Sequence, residues 1–220
     1  MSNIDYIKNS NASKPMFNVF GVNVYIKTPL PKEISIDNLK REIEYHIPDS
    51  LFSGVKGIFV GDFDYLKSRG ATAISYNDSI FLTNKQESVG DIIDDIAHEL
   101  GHFIEKKFFF NIHRNRSLEN EFLSKKKYSL ALLKRAGADV DVFNVTTDHD
   151  EKLDNILTNY IGLHNLEKIF SGILVTPYSV VSLSEYFCEG LEYYLLNDRF
   201  LLAKICPVLY NVIETIVTER

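Results

Sequence analysis

The sequence predicts an α+β fold: a small N-terminal mixed sheet leads into a helix carrying the motif HELGH, and a mainly helical C-terminal lobe follows. Three observations predict it. The first 86 residues or so hold short β-rich blocks, and Asn77-Asp78 between two of them is hairpin grammar. From Ser88 onward the apolar positions recur at helical spacing. No internal repeat, low-complexity tract or Pro/Gly-rich linker interrupts the chain, which favours one domain over residues 1–220.

Taken in order, FNVFGVNVYIKT (17–28) has strand composition, and Ser35 to His46 predicts a helix that stops before Pro48. GIFVGDF (57–63) predicts a strand, and DYLKSRG about one helical turn closed by Gly70. ATAISY and SIFLTN flank the hairpin turn. Ser88 then caps a helix, with Asp91 three residues on, whose apolar stripe is Ile92, Ile93, Ile96, Leu100, Phe103 and Ile104. Further helices are expected near 116–135, 149–160, 163–171, 183–197 and 207–217, with a loop over 136–148. The chain divides into an α+β lobe (1–108), a helical insertion (109–174) and a helical segment (175–220).

Composition excludes several classes. A formal net charge of −6 argues against bulk electrostatic binding of nucleic acid, and the basic run Lys125 to Lys127 predicts a solvated helix face. Two cysteines, Cys188 and Cys206, are too few for a disulfide scaffold and are expected reduced. No apolar run reaches membrane-spanning length, and MSNIDYIKNSNASKP lacks the pattern of a secretory signal peptide. The expectation is a cytoplasmic protein with neither nucleic-acid nor membrane partner, non-classical export or delivery aside.

Within HELGH, His98 and His102 are four apart on a helix and present both imidazoles to one point, with Glu99 one step round. That is the pattern of a zinc peptidase. The metal polarises the scissile carbonyl and activates water, while the glutamate takes the water's proton and passes it to the leaving amine. The plainer alternative is an amphipathic helix whose histidines fall in register by chance.

A catalytic zinc takes three protein ligands, so a third is needed. Zinc peptidases that use a third histidine six residues on, with a glycine halfway, are excluded, because those positions hold Phe108 and Glu105. His46, His113, His149 and His164 form no helical pair and read as surface or satisfied core histidines. SLSEYFCEGLEYYLLND (182–198) is the better source: Glu185 and Glu189 lie four apart on an apolar helix where unpaired carboxylates would be costly. Glu185 suits the metal, and Glu189 suits the free N–H of a ligating histidine. Ser182 with Glu185 is also a capping box, which explains Glu185 without a metal. Glu192 reads as solvated.

Together these motifs resemble the glutamate-liganded zinc peptidases, the gluzincins, in the group of anthrax lethal factor and the clostridial Pro-Pro endopeptidases. There HExxH is followed on a later helix by E-[FY]-F-x-E, with a tyrosine seven residues before the first glutamate. This chain has HELGH at 98–102, EYFCE at 185–189 and Tyr178. The resemblance implies a zincin-like fold, one Zn2+ held by His98, His102 and Glu185, Glu99 as general base, Glu189 as the histidine's partner, and Tyr178 aimed at the oxyanion or the attacking water. It also implies a structural Cys206 in ICPVLY, and Cys188 at a small-residue position against the active-site helix. It covers residues 70–108 and 175–217; the insertion has no counterpart, and secretion is not matched by a signal peptide. Such peptidases hold substrate as an extended strand on a sheet edge, for which SIFLTN, Ser79 to Asn84, is the natural choice.

The expected function is therefore zinc-dependent endopeptidase activity on a peptide or protein. Two rivals stand beside it: a non-catalytic binding or structural protein that keeps the fold, phage-associated or regulatory for instance, and an intracellular toxin-like protease with one host target.

Overall fold

The computed structural model of the protein describes residues 16–142, 145–159 and 163–218, the side chains of 159 and 163–165 excepted. The N-terminal stretch judged above for a signal peptide and the side chain of His164 lie outside the described residues. The chain forms two compact units, Met1–Phe103 and Ile104–Arg220, and the division falls inside a continuous helix.

The first unit is built on a five-stranded mixed sheet. The stretch of strand composition at 17–28 is divided: β1 (Phe17–Val19) and β2 (Val22–Ile26) pair antiparallel across a turn in which Phe20 and Gly21 both take positive φ. α1 (Ile36–His46) is capped by Ser35, whose hydroxyl accepts from the Asn38 N–H. β3 (Gly57–Gly61) pairs parallel to β2. α2 (Asp64–Arg69) ends on Gly70 at φ +63°, the left-handed closure its sequence called for. β4 (Ala73–Tyr76) and β5 (Ser79–Thr83) form the expected hairpin, with Asn77 and Asp78 both left-handed at φ +48° and +59°.

Strand order is β1-β2-β3-β5-β4, which overturns the expectation that Ser79–Asn84 is the sheet edge. β5 pairs parallel to β3 and antiparallel to β4, so it is interior and β4 is the edge. The physical reason is visible in SIFL: Ser79, Ile80, Phe81 and Leu82 are all buried, as befits a strand covered on both faces. One face carries a row of rings, Tyr25 stacked on Phe59 at 4.9 Å and Phe59 on Phe81 at 5.0 Å, and the cluster of Phe63, Leu66 and Phe81 closes over it. The opposite face carries Val24, Ile58, Val60, Ile80 and Leu82, all buried. The small residues Ala73 and Ser75 lie in register with Leu82 and Ile80 on that face.

α3 (Val89–Lys107) carries the motif. Its start is the expected capping pair: Asp91 accepts from the Ser88 N–H at 3.0 Å, and the Ser88 hydroxyl accepts from the Asp91 N–H at 3.2 Å.

In the second unit, the helices read from periodicity appear as α5 (Arg116–Arg135), α6 (Glu151–Asn159), α7 (Leu163–Phe170), α8 (Leu183–Leu196) and α10 (Pro207–Thr218). Two short helices were not anticipated, α4 (Phe109–His113) and α9 (Arg199–Ile205), nor was the 3-10 turn Tyr178–Val180. In α9 the signal was there: the Asp198 carboxylate accepts from the N–H groups of Phe200 and Leu201, an N-cap just past the expected end of α8 at 197. α8 and α10 approach closely at Gly190, where a Cβ would meet the side chains of Leu209 and Ile213.

The basic run is not a solvated face. Lys126 is buried at 1% exposure, and its Nζ donates to the Val181 carbonyl at 2.9 Å and the Asp148 carbonyl at 3.5 Å. Lys125 donates to the carbonyls of Ile173 at 2.6 Å and Ile205 at 2.8 Å; Lys127 alone is exposed. Position 126 lies on the same stripe as the buried Leu118, Phe122, Ser129, Leu130 and Leu133, so helical geometry turns it inward whatever its charge. Among the described residues no helix is long and apolar enough to cross a membrane.

Candidate metal centre

α3 places His98 and His102 one turn apart, with ring centroids at 5.1 Å and planes at 77°. Both are half-buried. The positions between and around them, Ile96, Ala97 and Leu100, are fully buried and fix the rotation of the helix. Asp95 is locked below them by the Thr72 hydroxyl at 2.9 Å and the Gln86 amide at 2.6 Å, and burial lifts its carboxyl above the usual range.

Glu99, next to them on α3, is buried at 6% exposure. Burial pushes its carboxyl above the ordinary value, opposed by the charges of His102 and His98 and by hydrogen bonds from the hydroxyl and backbone N–H of Ser75. A carboxyl raised by desolvation beside two imidazoles is suited to accept and return a proton near neutrality. Ser75 was missed in the sequence. Its signal is the alternation A-I-S-Y in β4, which sets the small pair Ala73 and Ser75 on the face opposite Ile74 and Tyr76.

In the second unit, Glu185 and Glu189 sit half-buried on α8 among buried Tyr186, Phe187, Cys188 and Leu191. The Ser182 hydroxyl accepts from the Glu185 N–H at 3.0 Å, so the helix cap anticipated there is present. Tyr178 is half-buried in the 3-10 turn, which packs against α8. Glu105, one turn beyond His102 on α3, accepts from the Ser184 hydroxyl at 2.6 Å and lies 2.6 Å from His113 Nε2. That bond ties the last turn of α3 to the first turn of α8, and nothing in the sequence pointed to it.

A donor set of two imidazoles and one carboxylate fits a borderline metal. The ligand types are divided between the units, His98 and His102 in the first and Glu185 in the second, and each could bind a metal ion. Three other histidines with described side chains are engaged elsewhere, His46 with Glu42 at 3.5 Å, His149 with Asp154 at 3.4 Å and His113 with Glu105. Cys188 and Cys206 are buried and form no disulfide, and burial raises the Cys206 thiol. Comparison with protein-family models, with curated proteins and with solved structures finds no match for this chain.

Proposed function

We propose that the protein is a zinc-dependent endopeptidase of the gluzincin kind, with a zincin-like fold. The observation that carries it is the histidine pair of α3 with the buried Glu99 beside it, and Glu185 in the first turn of α8 offers the third ligand type. His98, His102 and Glu185 hold one zinc ion, and Glu189 orients a ligating histidine. When bound, zinc supplies Lewis acidity at the scissile carbonyl and makes water acidic enough to be deprotonated near neutral pH.

The chain's own residues do the rest. Glu99 takes the proton of the attacking water and gives it to the leaving amine, two transfers for which a carboxyl raised by burial is well matched. Ser75 holds that carboxylate through its hydroxyl and N–H. Tyr178 donates from its phenol to the oxyanion that develops on the carbonyl. An extended substrate finds its free strand edge on β4, Ala73–Tyr76, and not on β5.

The test combines metal analysis with hydrolysis of a peptide library read by mass spectrometry. About one zinc per chain is expected, with cleavage stopped by chelator and restored by zinc. Glu185→Gln loses the metal, whereas Glu99→Gln keeps it and loses cleavage. Hydrolysis at the wild-type rate by Glu99→Gln would show that the mechanism is wrong.

A further inference from the structure

The insertion between the two motifs has a purpose that its sequence conceals. Val181 ends the 3-10 turn that carries Tyr178 and precedes Ser182, the N-cap of α8, with Glu185 in that helix's first turn. Backbone geometry breaks between them. Val181 is in the right-handed helical region at φ −66°, while Ser182 is extended at φ −151° and ψ 167°. The chain therefore cannot offer the Val181 carbonyl a helical N–H, and the carbonyl lies in a wholly buried segment: Val180 and Val181 are both 0% exposed. A buried carbonyl needs a donor. The donor is Lys126 Nζ at 2.9 Å, brought in by α5.

The same joint is held from a second side. The Leu183 N–H donates to the Thr147 carbonyl at 2.9 Å, and Lys126 also reaches the Asp148 carbonyl next door. Lysine is the residue type that can do this. A single flexible ammonium has three donors, enough for two carbonyls from separate loops, and it lies over the Phe122 ring at 5.6 Å from the ring centre.

We propose that Lys126 is a positioning residue of the metal centre: by holding the Val181 carbonyl it fixes the joint that sets both Tyr178 and Glu185. This rests on the function proposed above. Lys126 touches neither substrate nor metal; it acts through the backbone.

The test is Lys126→Met in the full chain, which keeps the stem and removes the donors. Zinc affinity by chelator competition, kcat and KM on a peptide that the wild type cleaves, and hydrogen exchange by mass spectrometry are measured together. Zinc affinity should fall roughly 10- to 100-fold and kcat by a similar factor, because a displacement of about 1 Å is enough, while KM stays within about twofold. Faster exchange should be confined to 178–186 and 145–149. Wild-type zinc affinity and kcat in Lys126→Met overturn the proposal, as does faster exchange spread evenly over the helical unit, which would mark Lys126 as a core filler only. Should Lys126→Met fail to fold, Lys126→Arg replaces it: moving the donor must lower zinc affinity and kcat together at constant KM, and wild-type values refute the idea. A wild-type chain without zinc refutes the centre itself, whereas a zinc-loaded wild type beside an unaltered variant refutes only the role of Lys126.

Discussion

Replacing Glu121 by glutamine is expected to destabilise the helical unit by about 2–3 kcal/mol, although it deletes no heavy atom. The Glu121 carboxylate serves three donors at once. Oε1 accepts from the Tyr186 hydroxyl at 2.9 Å and the Leu209 N–H at 3.0 Å, and Oε2 accepts from the Val208 N–H at 2.9 Å. Val208 and Leu209 follow Pro207 in the first turn of α10, where the N–H groups have no partner in the helix. Glutamine can keep Tyr186 and Leu209 on its carbonyl, but its NH2 then faces the Val208 N–H, donor against donor. Leaving that donor unsatisfied costs about 1–3 kcal/mol, and losing a negative charge at a helix N-terminus about 0.3–1 kcal/mol. Urea unfolding followed by helical circular dichroism should show a lower midpoint at unchanged slope. The thermal midpoint should drop by about 5–10 °C. Tyr186→Phe should cost less, about 1 kcal/mol, since it removes one neutral donor and leaves both N–H bonds in place. The two substitutions should be less than additive. A Glu121→Gln variant within about 0.5 kcal/mol of wild type would refute the three-donor account.

Three further outcomes are expected. Gly190→Ala should lower stability by about 1–3 kcal/mol in thermal melts, because its Cβ runs into Leu209 where α8 meets α10, and Leu209→Ala in the same chain should recover part of the loss. The bond from the Ser88 hydroxyl, helped by the N–H groups of Glu87 and Ser88, holds the Asp91 carboxyl below its ordinary value, so its cap stabilises α3 fully above the unfolded value and fades as pH falls through the lower folded one. The stability gap between wild type and Asp91→Asn, about 1 kcal/mol at neutral pH, should therefore close between about pH 4 and pH 2; a gap that persists at the acid end contradicts the assignment. Tyr178→Phe should keep its zinc and lose roughly 100-fold in kcat with KM little changed, whereas loss of metal would mean the phenol only supports the fold.

What the sequence made legible follows from how local each signal is. Gly70, Asn77-Asp78 and the Ser88 cap act within a few residues, so turn and cap chemistry predicted them without tertiary knowledge. HELGH is equally local, because helix geometry alone brings His98 and His102 together. The sheet edge was misread because chain order suggested that the strand before α3 is outermost. Strand order is decided instead by the chain after α2, which lays down β4 on the outside and returns through the hairpin to set β5 parallel to β3. The four buried residues of SIFL carried that information, since an edge strand seldom hides every side chain. Glu105 with Ser184, and Ser75 with Glu99, are pairs remote in sequence whose partners look like ordinary surface residues. No periodicity marks either pairing, although the alternation in β4 gives the face on which Ser75 lies.

Lys126 shows a different failure, in which charge outweighed position. KKK reads as solvated because lysine is rarely buried, yet one of three consecutive helical residues must face inward when the stripe on either side is apolar. The charged residues α5 turns inward then follow an electrostatic pattern. Glu121 meets the N-terminus of α10, where a negative charge is favoured, and Lys125 meets the Ile205 carbonyl at the C-terminus of α9, where a positive one is. Lys126 meets the carbonyl stranded by the break before α8. Each side chain is matched in sign to an end of backbone that the fold leaves unsatisfied, and each end belongs to the segment that carries Tyr178, Glu185 and Glu189 or to the helices packed on it. A substrate-reading module would keep its charges at the surface for a partner; α5 spends three of its own on the backbone of its neighbours. The insertion therefore acts as a scaffold of α8, and substitutions at Glu121, Lys125 and Lys126 should first change how well that helix is held.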